Sequence, residues 1–365
     1  MTSGFIVNLP LEIAINILSR LPLRAVVRSK CVCKSWLKLL DTREFVKLHL
    51  SKSVPGMAVV QSCVETNLYE IFEFEDKLDL EHHHSLVTKC VFPHASRIQG
   101  SATGLLFLTG DQPCHLYVCN PITRRFIKLR PYLDSLHSSS DEVAYGFGVT
   151  KTTGQYKVVR IVYDYDFGTE DSPNIRLTKS HCEVYTLGTR TWRSIIPAAL
   201  VLFNTIGIFF NGNLYWLVAD PTQICCFDLE TELFSTFFHP PLVNPGSLGS
   251  LSALVGSLCL CDNSFEEKII IWVMEEYGVD TSWRMKYVIN KDRYVCGDYM
   301  IVSPIKIFED GDILMEYEEY LLFYYSDKTK TIRKIEMFEA CSGNHFRVNA
   351  ILHTPSFLSP RTGFH

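Results

Sequence analysis

Apolar residues in the first fifty positions recur with the spacing of short amphipathic helices. Pro10 suits the first turn of a helix, where its missing N–H would be unpaired anyway, and Ile13, Ile17 and Leu21 then lie four residues apart. Pro22 interrupts this pattern and implies a corner. Helical spacing returns over residues 23–30, 31–40 and 44–50. The pattern predicts a small all-α module of three to four helices over 1–50, followed by a linker at 51–56.

A different pattern begins after residue 56, where short apolar runs separated by Gly, Asn and Asp indicate strands and tight turns. Five similar units recur at a spacing of roughly 40 to 50 residues between about 100 and 340. In the clearest copy, Asn211-Gly212 separates two apolar runs, as expected for a hairpin turn with positive φ. The remaining apolar runs at 57–64, 68–74 and 347–353 can share one further unit.

The edges of such a β domain give a reason to expect a closed ring. Radial repetition leaves unpaired edges unless the ring shuts, and pairing the last strand with the first ones shuts it without extra sequence. We therefore predict a six-bladed β-propeller over 57–355, with residues 356–365 as a C-terminal tail. A β-sandwich or two smaller β domains are the alternatives.

Composition and charge narrow the class of protein. At 365 residues and 47% hydrophobic content, the chain can bury one large core and a small one. Residues 1–50 carry eight Lys or Arg and three acids, whereas the other 315 residues carry 27 and 37. A short basic module suits an acidic protein surface or nucleic acid, and its sign does not choose between them.

The thirteen cysteines form no regular framework in a chain of this length, which favours reduced thiols over disulfides. The closely spaced thiols at 31 and 33, 225 and 226, and 259 and 261 lack zinc-site spacing and are interpreted mainly as core residues. The first residues lack a secretion signal, and no run of 18 apolar residues occurs. We therefore expect a location in the cytoplasm or the nucleus and no membrane partner.

Three segments of the helical module resemble the F-box in order and spacing. They are LPLEI at 9–13, ILSRLP at 17–22 and CVCKSW at 31–36. In F-box proteins this face docks on a small Skp-type adaptor, which links it to a cullin, so the resemblance implies both partners. The adaptor-binding residues that it implies are Leu9, Pro10, Ile13, Ile17, Leu21, Pro22, Leu23, Val26, Val32 and Trp36.

Two other interpretations of the helical module bear on its partner. Fifty residues cannot bury all these apolar side chains among themselves, so some apolar surface should be left over for a partner. The alternative is a helical cap that docks on the chain's own β domain. A DNA-binding helix-turn-helix has similar helix lengths but needs Arg, Lys, Asn or Gln projecting together from a recognition helix. Trp36 and the leucines argue against that use, so no nucleic-acid partner is predicted.

The β region resembles the plant F-box-associated domain, which is related to kelch propellers. The resemblance rests on 116–125, 183–187 with Trp192, 211–217, and 271–274 with Trp283. With the F-box it covers nearly the whole chain and implies a kelch-like substrate receptor of SCF ubiquitin ligases, with the pollen F-box proteins of self-incompatibility among its relatives. The regular Gly-Gly pair of kelch repeats is missing, so the carbohydrate-binding or oxidase activities of some kelch propellers are not carried over.

Candidate chemistry is sparse. No Gly-rich phosphate loop, nucleophile elbow or HExxH motif occurs, so neither catalysis nor a cofactor is predicted. The adjacent histidines 82–84 lack a spaced fourth ligand and are interpreted as a solvated loop, so no metal is predicted. Acidic and aromatic residues in an apparent insertion between strands can hold a basic or aromatic segment of a target. They are Asp164, Tyr165, Asp166, Phe167, Glu170 and Asp171.

Taken together, the resemblance and the sparse chemistry indicate a non-catalytic role. We predict a substrate-recognition subunit of an SCF-type ubiquitin ligase, in which the helices hold the adaptor and the β domain holds an unknown protein target, so that target lysines meet ubiquitin. One alternative is an adaptor-bound scaffold whose bound protein is not degraded. Another is a propeller enzyme of the galactose oxidase type, with Tyr and His copper ligands near the axis.

Overall fold

The fold is taken from a computed structural model of the 365-residue chain. The structure describes residues 9–62, 67–74, 83–92, 94–110, 112, 115–130, 142–166, 176–197, 202, 205–218, 222–240, 249–265, 267–291, 301–317, 319–335 and 347–361.

Four short helices open the chain: α1 (Leu11–Leu18), α2 (Leu23–Ser29), α3 (Lys34–Leu40) and α4 (Arg43–Leu50). Pro10 and Pro22 immediately precede α1 and α2, where a missing N–H costs little. The α4 helix is capped by Thr42, whose hydroxyl oxygen accepts a hydrogen bond from the Phe45 N–H at 3.3 Å. The predicted all-α module is therefore confirmed, with four helices.

The described residues after α4 form 24 strands. They are β1 (Gly56–Ser62), β2 (Asn67–Phe74), β3 (His84–Val91), β4 (Arg97–Ala102), β5 (Leu105–Thr109), β6 (Leu116–Asn120), β7 (Arg125–Lys128), β8 (Glu142–Val149), β9 (Tyr156–Asp166), β10 (Arg176–Thr186), β11 (Trp192–Ile195), β12 (Ile206–Phe210), β13 (Asn213–Leu217), β14 (Gln223–Asp228), β15 (Phe234–Phe238), β16 (Gly249–Leu254), β17 (Ser257–Asp262), β18 (Lys268–Met274), β19 (Trp283–Asn290), β20 (Val302–Ile307), β21 (Ile313–Tyr317), β22 (Leu321–Ser326), β23 (Thr331–Lys334) and β24 (Arg347–His353).

These strands form four four-stranded sheets and one eight-stranded sheet. The four-stranded sheets have the orders β24-β1-β2-β3, β4-β5-β6-β7, β16-β17-β18-β19 and β20-β21-β22-β23. The large sheet has the order β11-β10-β9-β8-β12-β13-β14-β15. Within it, β8 and β12 pair in parallel at only two positions, Ile206 opposite Tyr145 and Gly207 opposite Gly146. The large sheet thus consists of two antiparallel meanders that meet at a short parallel contact.

The last strand closes the β domain. β24 pairs antiparallel with β1 from Gly56 opposite His353 to Ser62 opposite Arg347, which confirms the predicted pairing of the two ends. Strands β24, β4, β8, β12, β16 and β20 each contact the next one in this order, and β20 contacts β24. These inner strands form a closed ring, so the domain is all-β and propeller-like and not a β-sandwich.

The two ends of the ring differ because successive antiparallel strands reverse direction. At one end the Tyr156 hydroxyl, where β9 begins, hydrogen-bonds the hydroxyl of Thr103 in the β4–β5 turn. Beside it, Gly104 has a φ of +90° and approaches the segment after β24 so closely that a Cβ would lie 1.8 Å from Ser356 Oγ. That segment packs on α4, so we call this the helix end. Asp166 lies at the other end of β9, about 30 Å away. We call this side of the ring the far end.

The helices and the ring share one hydrophobic core. Phe357 is 2% exposed, and its ring centroid lies 5.6 Å from that of Phe45 and 5.0 Å from that of His49, both in α4. Val26 of α2 and Leu106 of β5 belong to the same cluster. The segment that the sequence predicted as a C-terminal tail therefore contributes buried residues to the junction between the two parts.

Two local interpretations from the sequence are wrong. Asp164, Tyr165 and Asp166 do not lie in an insertion, because β9 continues through them and pairs with β10. His83 is fully buried and His84 begins β3, so neither belongs to a solvated loop, and His82 lies outside the described residues. The first three residues pair within the β9–β10 hairpin, whereas His83 and His84 contact Asp310 and Tyr324, which are distant in sequence.

Candidate functional site

Helix α1 carries apolar side chains on two sides. Ile15 and Leu18 face the core and are buried. On another side, Ile13 and Ile17 are each 48% exposed and Leu21 is 37% exposed. Ile13 and Ile17 lie one turn apart on α1, and Leu21 follows in the turn after the helix; we call these three exposed residues the α1 stripe. Grouped apolar residues in contact with water are typical of a surface that another protein covers.

The other predicted adaptor contacts divide by exposure. Pro10 and Pro22 are exposed, and Val32 at the α2–α3 corner is 60% exposed. Leu9 and Trp36 are half-buried and pack against the core of the chain. All five residues therefore keep part of their surface accessible to a partner.

Leu23 and Val26 correct the sequence-based prediction. Their exposed fractions are 4% and 0%, because α2 turns this side toward the β domain, so they do not lie on the accessible surface. Leu11 and Leu37 were missed, although they are 57% and 46% exposed. Leu11 lies inside the LPLEI segment but off the i, i+4 series of Ile13, and periodicity alone could not select it.

Polar contacts fix α2 on the ring. The Leu23 N–H donates to Glu73 Oε1 at 3.1 Å, and Lys30 Nζ donates to the Ile122 carbonyl at 3.4 Å. The same ammonium lies 4.8 Å from the ring centroid of Phe357. Burial lowers the pKa of Lys30. The cap interpretation is therefore correct for this side of the module, while the α1 stripe remains uncovered.

Asn120 at the end of β6 holds the segment after β24 in place. Its side-chain Nδ2 donates to the carbonyl oxygens of Ser356 at 2.9 Å and Leu358 at 2.7 Å. Its Oδ1 accepts the N–H groups of Ile122 at 2.8 Å and Thr123 at 3.0 Å. A fully buried amide with four backbone partners makes this junction specific as well as apolar.

A cavity of about 570 Å³ lies among the inner strands of the ring. Its lining includes the hydroxyl-bearing Ser101 and Ser252, the carboxyl of Glu316 and, at the helix end, Leu50 of α4. Burial, followed by the neighbouring charge of Glu319, raises the pKa of Glu316 to about 8. At neutral pH the carboxyl is therefore mostly protonated, and the cavity wall carries little charge from this group.

The predicted target-binding residues are only partly within the described chain. Asp164, Tyr165 and Asp166 lie in the last part of β9, at the far end of the ring. Phe167, Glu170 and Asp171 lie outside the described residues. The backbone therefore places the start of this segment on the opposite end from the helices.

The length of the helices determines whether one of them can cross a bilayer. Each has seven or eight residues, and among the described helices none has the length and apolar character required to cross a bilayer.

The chain thus combines a small helical module, which keeps an apolar stripe exposed, with a closed ring of β-meanders. It belongs to the class of proteins that carry a helical module on a propeller-like domain. Comparison with known families is consistent with this architecture. Residues 6–48 match the F-box domain, and residues 57–354 match the F-box associated beta propeller domain. The chain belongs to the family of F-box proteins with an F-box associated propeller domain. An F-box implies binding to a Skp-type adaptor in SCF complexes, and members of this family are typically adaptor or receptor subunits.

Curated relatives from Arabidopsis thaliana cover most of the chain. The F-box/kelch-repeat protein At3g23880 is 27% identical over 87% of this chain and 87% of its own. The F-box protein At3g07870 is 28% identical over 89% and 86%, and the F-box protein CPR1 is 25% identical over 89% and 84%. Among solved structures, Kluyveromyces lactis Hsv2 overlaps 76% of each chain at 11% identity with a TM-score of 0.37.

Proposed function

We propose that this protein is the substrate-recognition subunit of an SCF-type ubiquitin ligase. The observation that carries the proposal is the α1 stripe, whose three side chains stay 37–48% exposed while the opposite side of α1 is buried in the chain's own core. Docking of a Skp-type adaptor on this stripe, Leu9, Pro10, Pro22, Val32 and Trp36 links the chain to a cullin. The target is bound by the β domain, and its ubiquitination leads to its degradation.

The mechanism is one of position rather than bond formation by this chain. The shared core around Phe357 and the Asn120 hydrogen bonds fix the helices on the ring, so a bound target is held at a set distance from ubiquitin charged elsewhere in the complex. A loose connection would spread target lysines over a larger volume and lower their effective concentration.

We place target binding at the far end of the ring. The helix end is partly covered by the helices and the segment after β24, whereas the far end carries the last part of β9 with Asp164, Tyr165 and Asp166. We also assign six blades to the domain, because the eight-stranded sheet divides naturally at the two-position β8–β12 contact. The nine described cysteines are all free thiols, which supports a reducing compartment such as the cytoplasm or nucleus.

The test of adaptor binding replaces two stripe residues by charges. We expect Ile13→Asp with Ile17→Asp to weaken binding of purified Skp-type adaptor by more than about 100-fold, because two apolar side chains no longer lose water on docking. Calorimetric titration measures the affinity. The matched control is Ile196→Asp, which changes an 88% exposed isoleucine of the β domain.

A double variant that keeps its melting temperature and binds the adaptor as tightly as wild type contradicts the proposal. The target side is separated by capture: proteins retained by both the wild-type chain and the double variant are candidate targets. The receptor role requires that at least one of them accumulates in cells that carry only the double variant. A scaffold predicts capture without accumulation.

A further inference from the structure

A histidine and two aspartates from distant parts of the chain converge on the helix end of the ring. His83 Nε2 lies 3.2 Å from Asp310 Oδ2 and 3.6 Å from Asp312 Oδ2. All three potential ligand atoms lie within 4.8 Å of one another. His83 precedes β3 in the closing sheet, whereas both aspartates belong to the β20–β21 turn of the neighbouring sheet.

Two of the three separations between these atoms fit the edges of a metal coordination tetrahedron. Zinc binds imidazole nitrogen and carboxylate oxygen at about 2.0–2.2 Å, which places neighbouring ligand atoms about 3.3–3.6 Å apart in a tetrahedral site. The two distances from His83 fall at or within about 0.1 Å of that interval. One cation can therefore contact the histidine and both carboxylates with small side-chain adjustments.

The surrounding structure holds the three groups in this arrangement. The His83 ring is fully buried and stacks on Phe308, with centroids 4.2 Å apart and planes 19° apart. Asp310 Oδ1 accepts the Asp312 N–H at 3.0 Å, which orients its Oδ2 toward the histidine. Gly311 between them has a φ of +90°, so the turn brings both carboxylates to one side. Such orientation of ligands by their neighbours is typical of metal sites.

We propose that His83, Asp310 and Asp312 bind a divalent first-row transition metal of the zinc class, with water as a fourth ligand. An imidazole together with two carboxylates suits such an ion, whereas calcium needs six or more oxygen ligands and magnesium retains most of its water. The ion joins the β20–β21 turn to the entrance of β3. It therefore links the sheet β20-β21-β22-β23 to the sheet β24-β1-β2-β3, which closes the ring.

The test uses the full chain, stripped with a chelator and titrated with zinc chloride. We expect about one zinc per chain in the wild-type protein and a melting temperature that rises with zinc. His83→Gln and Asp312→Asn weaken zinc binding at least about 10-fold. His84→Gln is the matched control, since His84 adjoins the site but bonds the Tyr324 hydroxyl at 2.8 Å through Nδ1. His115→Gln controls for adventitious binding, because the His94 and His115 rings lie 5.1 Å apart.

If a variant fails to fold, cobalt binding to the wild-type chain tests the site instead. Cobalt chloride replaces zinc, and a tetrahedral site gives intense visible absorption that added zinc removes. The proposal is overturned if the wild-type chain shows neither this spectrum nor stoichiometric zinc. Equal zinc affinity in wild type and His83→Gln also overturns it. In that case the three groups contact one another without a bound metal ion.

Discussion

Glu316 shows how a single buried group makes the stability of the ring depend on pH. Burial, with the nearby charge of Glu319, raises its pKa from 4.5 to about 8. Between these two values the folded chain keeps the proton that the unfolded chain releases, so the free energy of unfolding falls as the pH rises. The limiting slope for one such group is about 1.4 kcal/mol per pH unit.

Glu316→Gln should remove this slope while keeping the shape of the side chain. We expect the variant to gain stability over wild type progressively from pH 5 to pH 8, as measured by urea unfolding at several pH values. The readout is the difference between the two proteins, because His49, whose pKa burial lowers to about 4, adds a slope of opposite sign below pH 6.5. Glu275→Gln, at a 63% exposed side chain, is the control. A difference that does not change with pH would show that Glu316 ionises normally.

Individual residues show which features the sequence could predict and which it could not. The i, i+4 series of Ile13, Ile17 and Leu21 identified an exposed stripe because helical periodicity is a local property. The burial of Leu23 depends on Glu73, fifty positions away, and the environment of His83 depends on Asp310. No local pattern carries such pairings, so the accessible and buried sides of α2 and the metal-ligand cluster could be found only from the structure.

Meanders are joined by tryptophans on their outer strands. Trp283 Nε1 in β19 donates to the carbonyl of Phe238 in β15 at 3.2 Å, and Trp192 Nε1 in β11 donates to the carbonyl of Arg130 after β7 at 2.6 Å. In both cases the acceptor belongs to the outer strand, or the residues just after it, of the preceding meander. Trp192 and Trp283 contributed to the family resemblance in the sequence, although the hydrogen bond that each makes was not predicted.

Trp283→Phe should therefore weaken the contact between neighbouring meanders. The ring system of Phe keeps most of the apolar contact, so we expect a loss of about 1 kcal/mol from the missing N–H donor. Urea unfolding measures it. Trp272→Phe in the adjacent strand β18 is a matched control, since the Trp272 Nε1 is buried and has no hydrogen-bond partner among the described residues. That variant should be neutral or slightly stabilised. Equal losses in both variants would mean that shape rather than the hydrogen bond matters.

The connection between the helices and the β domain depends on Phe357, because this ring lies where α4, the Lys30 ammonium and the β domain meet. Its removal leaves a cavity at the junction rather than inside either part. Phe→Ala substitutions in cores typically cost 3–5 kcal/mol. We expect Phe357→Ala to destabilise mainly the docking of the helices, so that hydrogen exchange of α4 amides accelerates far more than exchange in β5 and β6.

In the proposed ligase, Phe357→Ala separates the rigidity of the helix–ring junction from the binding of adaptor and target. The α1 stripe and the far end of the ring are both untouched by Phe357→Ala, so adaptor affinity and target capture should stay within about 3-fold of wild type. Transfer of ubiquitin to the captured target should nevertheless slow, because the helices no longer hold the ring at one distance. Phe238→Ala, at a 56% exposed phenylalanine, is the control and should leave the rate unchanged. If Phe357→Ala loosens α4 and transfer proceeds at the wild-type rate, the fixed orientation of helices and ring has no part in the function.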